Sequence, residues 1–264
     1  MSSAAIIHGP ILGRDRAVVV DELRRLLPRL ESAAATTRAL PFGLAPLDAH
    51  LPQGGLAVGA LHEVAPQEPG DMPAAFGFLA ALLARFAPSS RPVLFIAPSH
   101  AFTEHGRPHG HGLAQLGLDP ARLILVETRN EKQALWALEE ALRSSVPAAV
   151  GGVVTRLDLK ASQRLQLVAG EVGLPLLLLR TPIIEDASAA ATRWRIGAAE
   201  AARDRFGLIE RTRWNVRLER CRNGRPGDWL VEFDHAAYRF SLAAPLADPA
   251  FSRDASAQRL RRAG

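Results

Sequence analysis

Short, almost wholly apolar segments alternate along this chain with longer stretches of helical periodicity, and no other feature limits the possible folds as much. Val93 to Ala97, Leu123 to Val126, Ala148 to Val154 and Leu174 to Leu179 carry almost no polar side chains. Met72 to Phe86, Asn130 to Ser144 and Lys160 to Val172 fall before or between them and have the length of helices. A strand without a polar face has to be buried on both faces, and a strand-helix alternation supplies the crossovers that parallel pairing needs. The expectation is an α/β fold with a mostly parallel sheet flanked by helices. Asp158 stands before the last of these helices, and Asn130 or Thr128 before the middle one, as helix-capping residues do. Gly112 to Leu116 reads as a short helical piece.

The pattern changes towards the end of the chain. Trp194 and Ile196 open a further strand. From Arg211 to Cys221 the residues alternate strictly, with Trp214, Val216 and Leu218 set against Arg213, Asn215, Arg217 and Glu219. That is the signature of a half-buried strand. A turn at Asn223-Gly224-Arg225-Pro226-Gly227 follows. Trp229, Val231 and Phe233 alternate in turn, and so do Tyr238, Phe240 and Leu242, which predicts C-terminal antiparallel strands. At the other end, residues 15–31 are expected to form an amphipathic helix with Val18, Leu23, Leu26 and Leu27 towards one face. Residues 32–40 read as a linker, Gly54-Gly55 as a turn, and Ala57 to Val64 as a strand. The expected organisation is an N-terminal helix and linker (1–40), one domain (41–242) and a polar C-terminal tail (243–264).

One cysteine, Cys221, excludes an intramolecular disulfide and a multi-cysteine metal cluster. Adjacent Arg220 and Arg222 would lower the pKa of its thiol, yet a single Cys in a strand reads as a small packed hydrophobe. The longest apolar run, Gly173 to Leu179, is far short of a membrane span. The first thirty residues lack the uninterrupted apolar core of a signal peptide. Both readings point to a cytoplasmic protein with no membrane partner. Residues 1–200 hold 19 Lys+Arg and 19 Asp+Glu, whereas residues 201–264 hold 13 Arg and 8 Asp+Glu, so the last quarter carries the whole excess of +5. Six of these arginines, Arg211, Arg213, Arg217, Arg220, Arg222 and Arg225, lie on the predicted hairpin. They are expected to face outward as candidate contacts for DNA or a partner. Trp214 and Trp229 are expected to face the core. His100, His105, His109 and His111 share one Gly/Pro-rich loop with Glu104, a pattern that suits a polar loop better than a metal site. No Gly-x-Ser-x-Gly or His-Glu-x-x-His motif is present.

Phe42 to Val64 follows the pattern FG-x-x-x-LD-x-x-L-x-x-GGL-x-x-G-x-x-x-EV. It is followed by RPVLFIAPSHAF, LGLDPARLILVE and the basic ending RWNVRLERCRNGRPGDWLVEF. In this order the segments resemble the RecA-like recombinases, over about residues 41–242. The wording GLAPLDAHLPQGGLAVGALHEV, the segment LDLKASQRLQLVAGE and the ending from ATRWRI to NGRPGDWLVEF are similar to the ImuA family, bacterial damage-inducible proteins described as RecA-like or cell-division-inhibitor-like. The resemblance implies a role in SOS mutagenesis as an accessory factor of translesion synthesis. It implies an ImuB-like Y-family polymerase relative and an error-prone replicative-type DNA polymerase as partners, with RecA and DNA as further candidates. It also implies a cytoplasmic protein that associates with the nucleoid on damage.

A phosphate-binding loop needs a glycine-rich turn, a Lys for the β/γ-phosphates and a Ser or Thr for Mg²⁺. Aligned on the resemblance, the corresponding positions are Gly70, Asp71, Met72 and Pro73, with Met72 in place of the Lys and Pro73 in place of the Ser/Thr. Pro66, Pro69 and Pro73 remove three N–H donors. Glu68 and Asp71 put negative charge where phosphates would sit. Lys132 and Lys160 are followed by Gln133 and Ala161, so no Gly-Lys-Ser/Thr exists anywhere in the chain. Ser99 stands at the position of the family's catalytic carboxylate. The strand from Ala148 to Val154 holds no metal-associated acid, and the nearest is Asp158. The expectation is a non-enzymatic protein without a cofactor. An ATP-dependent recombinase or ATPase with a rewired site, and a cell-division inhibitor, stand as alternatives.

Overall fold

In the computed structural model the described residues are 38–87, 91–180, 187–203, 206 and 208–243. The predicted helix at residues 15–31 and the tail beyond 243 lie outside them. The elements are β1 (Ala39–Leu40), α1 (Ala45–Asp48), β2 (Leu56–Ala57), β3 (Leu61–Pro66), α2 (Met72–Phe86), β4 (Val93–Pro98), α3 (Gly110–Gln115), β5 (Leu123–Thr128), α4 (Glu131–Arg143), β6 (Ala149–Val153), α5 (Leu159–Val172), β7 (Leu176–Leu179), β8 (Thr192–Arg203), β9 (Ile209–Cys221), β10 (Gly227–Asp234) and β11 (Arg239–Leu242). Nine strands form one sheet in the order β11-β10-β9-β8-β3-β7-β6-β4-β5. The six from β8 to β5 pair in parallel, and β9, β10 and β11 add antiparallel pairs. This is the mostly parallel sheet with C-terminal antiparallel strands expected of the sequence. No helix among the described residues is long and apolar enough to cross a membrane.

Two apolar cores lie on the two faces of the sheet. One holds α2 against inward residues of β8 to β11, and includes a group of rings from Phe42, Phe78, Trp194, Trp214, Phe233 and Phe240. Trp214 meets Phe78 edge-on, with centroids 5.8 Å apart, in the favoured T-shaped geometry. The other core holds α4 and α5 against β3, β6 and β7. Between them, Gly151 and Gly152 of β6 let both layers close up. A Cβ on Gly151 would lie 2.8 Å from Leu83 and Phe95, and one on Gly152 would lie 2.6 Å from the Ile96 carbonyl oxygen. Asn130 caps α4 and Asp158 caps α5, each through a side-chain oxygen that accepts a backbone N–H. Gly173 ends α5 in the left-handed region at φ +67°.

The expected strand from Ala57 to Val64 divides in two. Leu56–Ala57 pairs with Ala39–Leu40 in a separate antiparallel ribbon, and the chain then turns into β3. Two residues of the expected linker are therefore strand. Tyr238, expected in the last strand, instead sits in the turn before it with φ +51°. Around Phe42, the Asp48 carboxylate accepts the N–H groups of Phe42, Gly43 and Leu44 at 2.7 to 3.0 Å. This explains the spacing of the FG and LD pairs in the lead-in segment.

Every residue of β3 is buried, His62 and Glu63 included. The Trp194 indole N–H donates to Thr192 Oγ1 at 2.7 Å, and that hydroxyl pairs with His62 Nδ1 at 2.8 Å. His62 Nε2 lies 2.8 Å from the Ala57 carbonyl, which can only accept, so Nε2 carries the proton. Burial pushes the His62 pKa down to about 4, against a smaller upward effect of the Ala57 hydrogen bond. The folded pKa is thus below the unfolded value of about 6.5, and the unfolded chain binds the extra proton between them. Stability from this group is present above pH 6.5 and falls as pH drops towards 4, by about 3 kcal/mol in all. Urea denaturation of wild type and His62→Gln between pH 7 and pH 4.5 should show a smaller fall in the variant.

Candidate functional site

The turn from β3 into α2 holds Gly70, Asp71, Met72 and Pro73, the positions that the sequence resemblance aligns with a phosphate-binding loop. Here it is fastened to the sheet by its own carboxylate. Pro69–Asp71 make one 3-10 turn. Asp71 Oδ2 accepts the Glu68 N–H at 3.1 Å, and Oδ1 accepts the Ala198 N–H of β8 at 2.9 Å. Gln67 donates its N–H to the Ile196 carbonyl at 2.8 Å. The positive end of a helix favours an anion, and Asp71 supplies one at the start of α2. Gly70 is exposed, while Met72 and Pro73 turn towards a cavity. Ser99 donates its hydroxyl to the Thr128 carbonyl at 3.1 Å. Asp158 is used in capping α5, where it accepts the Ala161 N–H at 2.6 Å.

The cavity lies at the carboxyl ends of β4, β6 and β7, beside the start of α2, and measures about 650 Å³. This is the edge at which open α/β sheets hold ligands. Phe76, Phe95, Val153 and Leu179 line it together with Met72, and the loop from His100 to His109 forms its other side. His109 and His111 have ring centroids 5.6 Å apart. His100 Nε2 is 3.8 Å from Glu131, and His105 Nε2 is 3.8 Å from Glu104. Glu131, which the sequence reading did not single out, accepts the N–H groups of Thr155 and Arg156 at the end of β6. An acid at the first position of a capped helix was the available signal.

The structure divides the six hairpin arginines into two groups. Arg213 does not face outward: it is 7% exposed, and its Nη2 is 2.5 Å from Glu232. Arg211 also reaches Glu232, at 3.3 Å, and Arg217 meets Asp228 at 2.5 Å. The cross-strand register explains this, because Arg213 sits opposite Glu232 and Arg217 opposite Asp228 on β10. The hydrogen bond to Asp228 raises the Arg217 pKa. Arg220, Arg222 and Arg225 bond instead to the carbonyls of Ser188, Ala189 and Ala49. A carbonyl orients a guanidinium without cancelling its charge. All three are exposed at the β9–β10 turn. Trp214 is buried and Trp229 half-buried against the core, as expected. Burial raises the pKa of the Cys221 thiol, in keeping with a packed hydrophobe rather than a reactive thiolate.

Sheet order and antiparallel closure define the class, an α/β protein with a mostly parallel sheet flanked by helices and C-terminal antiparallel strands. No protein-family model matches the chain. Two curated relatives, each named Protein ImuA and coming from the NA1000 / CB15N and the ATCC 19089 / CIP 103742 / CB 15 strains of Caulobacter vibrioides, are 35% identical to it over 233 residues. Each match spans 80% of this chain and 91% of the relative. The chain belongs to the ImuA family. Among solved structures, SulA from Pseudomonas aeruginosa is similar over 46% of this chain and 97% of its own, at 22% identity and a TM-score of 0.37.

Asp71 joins the loop both to its own first turn and to β8, so its removal leaves two N–H groups without their acceptor. Asp71→Ala is expected to lower stability by about 1–2 kcal/mol, read as a fall in the thermal midpoint. Asp71→Asn, which keeps one acceptor oxygen, should lose less.

Proposed function

We propose that the chain is a non-catalytic accessory factor of a damage-inducible translesion synthesis complex. It docks an ImuB-like, clamp-binding Y-family relative and an error-prone polymerase at damaged DNA. The observation that carries this reading is the identity to ImuA proteins over nine-tenths of their length. Three features of the β3–α2 turn support the non-catalytic part. The helix start already holds a carboxylate, three prolines withhold donors, and Met72 and Pro73 offer no charge or hydroxyl to a nucleotide. Binding therefore falls to exposed surface. The three arginines at the β9–β10 turn are the surface assigned to DNA or an acidic partner, because their charge is not cancelled by a carboxylate in the way that of Arg211, Arg213 and Arg217 is.

Three measurements test the proposal. Tagged protein recovered from DNA-damaged cells should bring down a Y-family-like, clamp-binding protein. Recovery of a nucleotide-dependent partner with no replication or repair protein would sink the docking role. Purified protein should show no DNA-stimulated ATP hydrolysis. The Arg220→Glu/Arg222→Glu double variant should weaken retention on DNA and flatten its salt dependence, while Arg217→Ala leaves both near wild type. Unchanged retention by the double variant removes these arginines from the interface.

A further inference from the structure

The cavity beside α2 has walls of one chemical kind and a mouth of another. Met72 and Phe76 come from the first turns of α2, Phe95 from β4 and Leu179 from β7, and Phe102 closes one side. Phe76 and Phe95 meet edge to face, centroids 5.6 Å apart and planes at 90°. The ring edge, ring face and thioether they present together are surfaces on which another ring packs well. Apart from Thr155, which follows β6, the polar side chains belong to the loop at the mouth, among them Thr103, Glu104, His105 and His109. The one guanidinium at the mouth, Arg107, is already held by Glu127 through hydrogen bonds of 2.5 and 3.0 Å. An anion entering the cavity would lose its hydration without gaining a counter-charge. A volume of about 650 Å³ with an apolar floor and a few polar groups at the rim is that of a small-molecule site.

We infer that this cavity binds an uncharged aromatic small molecule, its ring against Met72, Phe76 and Phe95 and its polar end at the histidine-bearing loop. It is independent of the docking role proposed above.

The chain contains two methionines, Met1 and Met72, so protein labelled with ¹³C at the methionine methyl carries one reporter inside the cavity. Indole serves as the probe, and Met72→Leu assigns the signal. The Met72 methyl is expected to move saturably under the ring current of bound indole while the Met1 methyl stays in place. Phe102→Ala, on the cavity's edge rather than in the core, should weaken that response about tenfold. Mg-ATP should leave the methyl where it is. A Met72 signal that does not move up to the solubility limit of indole, a response of equal affinity in Phe102→Ala, or a stronger response to Mg-ATP than to indole would each overturn the inference.

Discussion

Strand β3 must bury a histidine and a glutamate at the centre of the sheet, and the rest of the fold is arranged to satisfy them. On one face His62 stays neutral through the chain of hydrogen bonds from Trp194 through Thr192 to Ala57. On the other, the Glu63 carboxylate accepts the Ser188 hydroxyl at 2.8 Å and Arg193 Nε at 3.0 Å, with Arg180 Nε at 3.9 Å. A buried carboxylate is tolerable only with such company. Its partners stand on β8, at the end of β7 and in the segment before β8. The parallel pairing of β3 with both β7 and β8 is thereby tied to the charge, because only that arrangement brings all three to it. The same pairing joins the parallel half of the sheet to the antiparallel half.

Beyond β8 the sheet has one apolar face and one polar face, and the polar face is largely neutralised from within. Arg195 meets Glu219 across β8 and β9, Arg217 meets Asp228, and Arg211 and Arg213 share Glu232. Cross-strand pairs of this kind set register and discourage edge association more than they add stability, since the exposed ones contribute little. Among the described residues of the hairpin, positive charge without a paired carboxylate lies where the chain turns, at Arg220, Arg222 and Arg225, which bond to carbonyls.

Much of this was legible in the residues, because the determining signals are local. Wholly apolar strands announced parallel pairing, Asn130 and Asp158 announced their helices, and the alternation from Trp214 to Leu218 announced which face is buried. What escaped was set by partners distant in sequence. The alternation puts Arg213 on the face opposite Trp214, yet nothing near Arg213 reveals that Glu232 lies across from it and draws it under cover. The break between Ala57 and Leu61 depends on β1, two residues that read as linker. The cavity was equally hidden. Phe76, Phe95, Phe102 and Leu179 are ordinary core residues in sequence, and only the sheet order brings them to one edge.

At the β3–α2 turn a side-chain carboxylate stands at the start of a helix. The first turn of a helix leaves N–H groups without intrahelical partners, and its dipole favours negative charge. A bound phosphate can meet both demands from outside, but then the loop remains open until ligand arrives. Asp71 places a carboxylate at this end from within the chain, and its two oxygens accept the Glu68 N–H of the preceding 3-10 turn and the Ala198 N–H, so the carboxylate stitches the turn before α2 to β8. Met72 and Pro73, the next two residues, line the apolar cavity beside α2, so the same turn that is tied to β8 also forms part of the cavity wall.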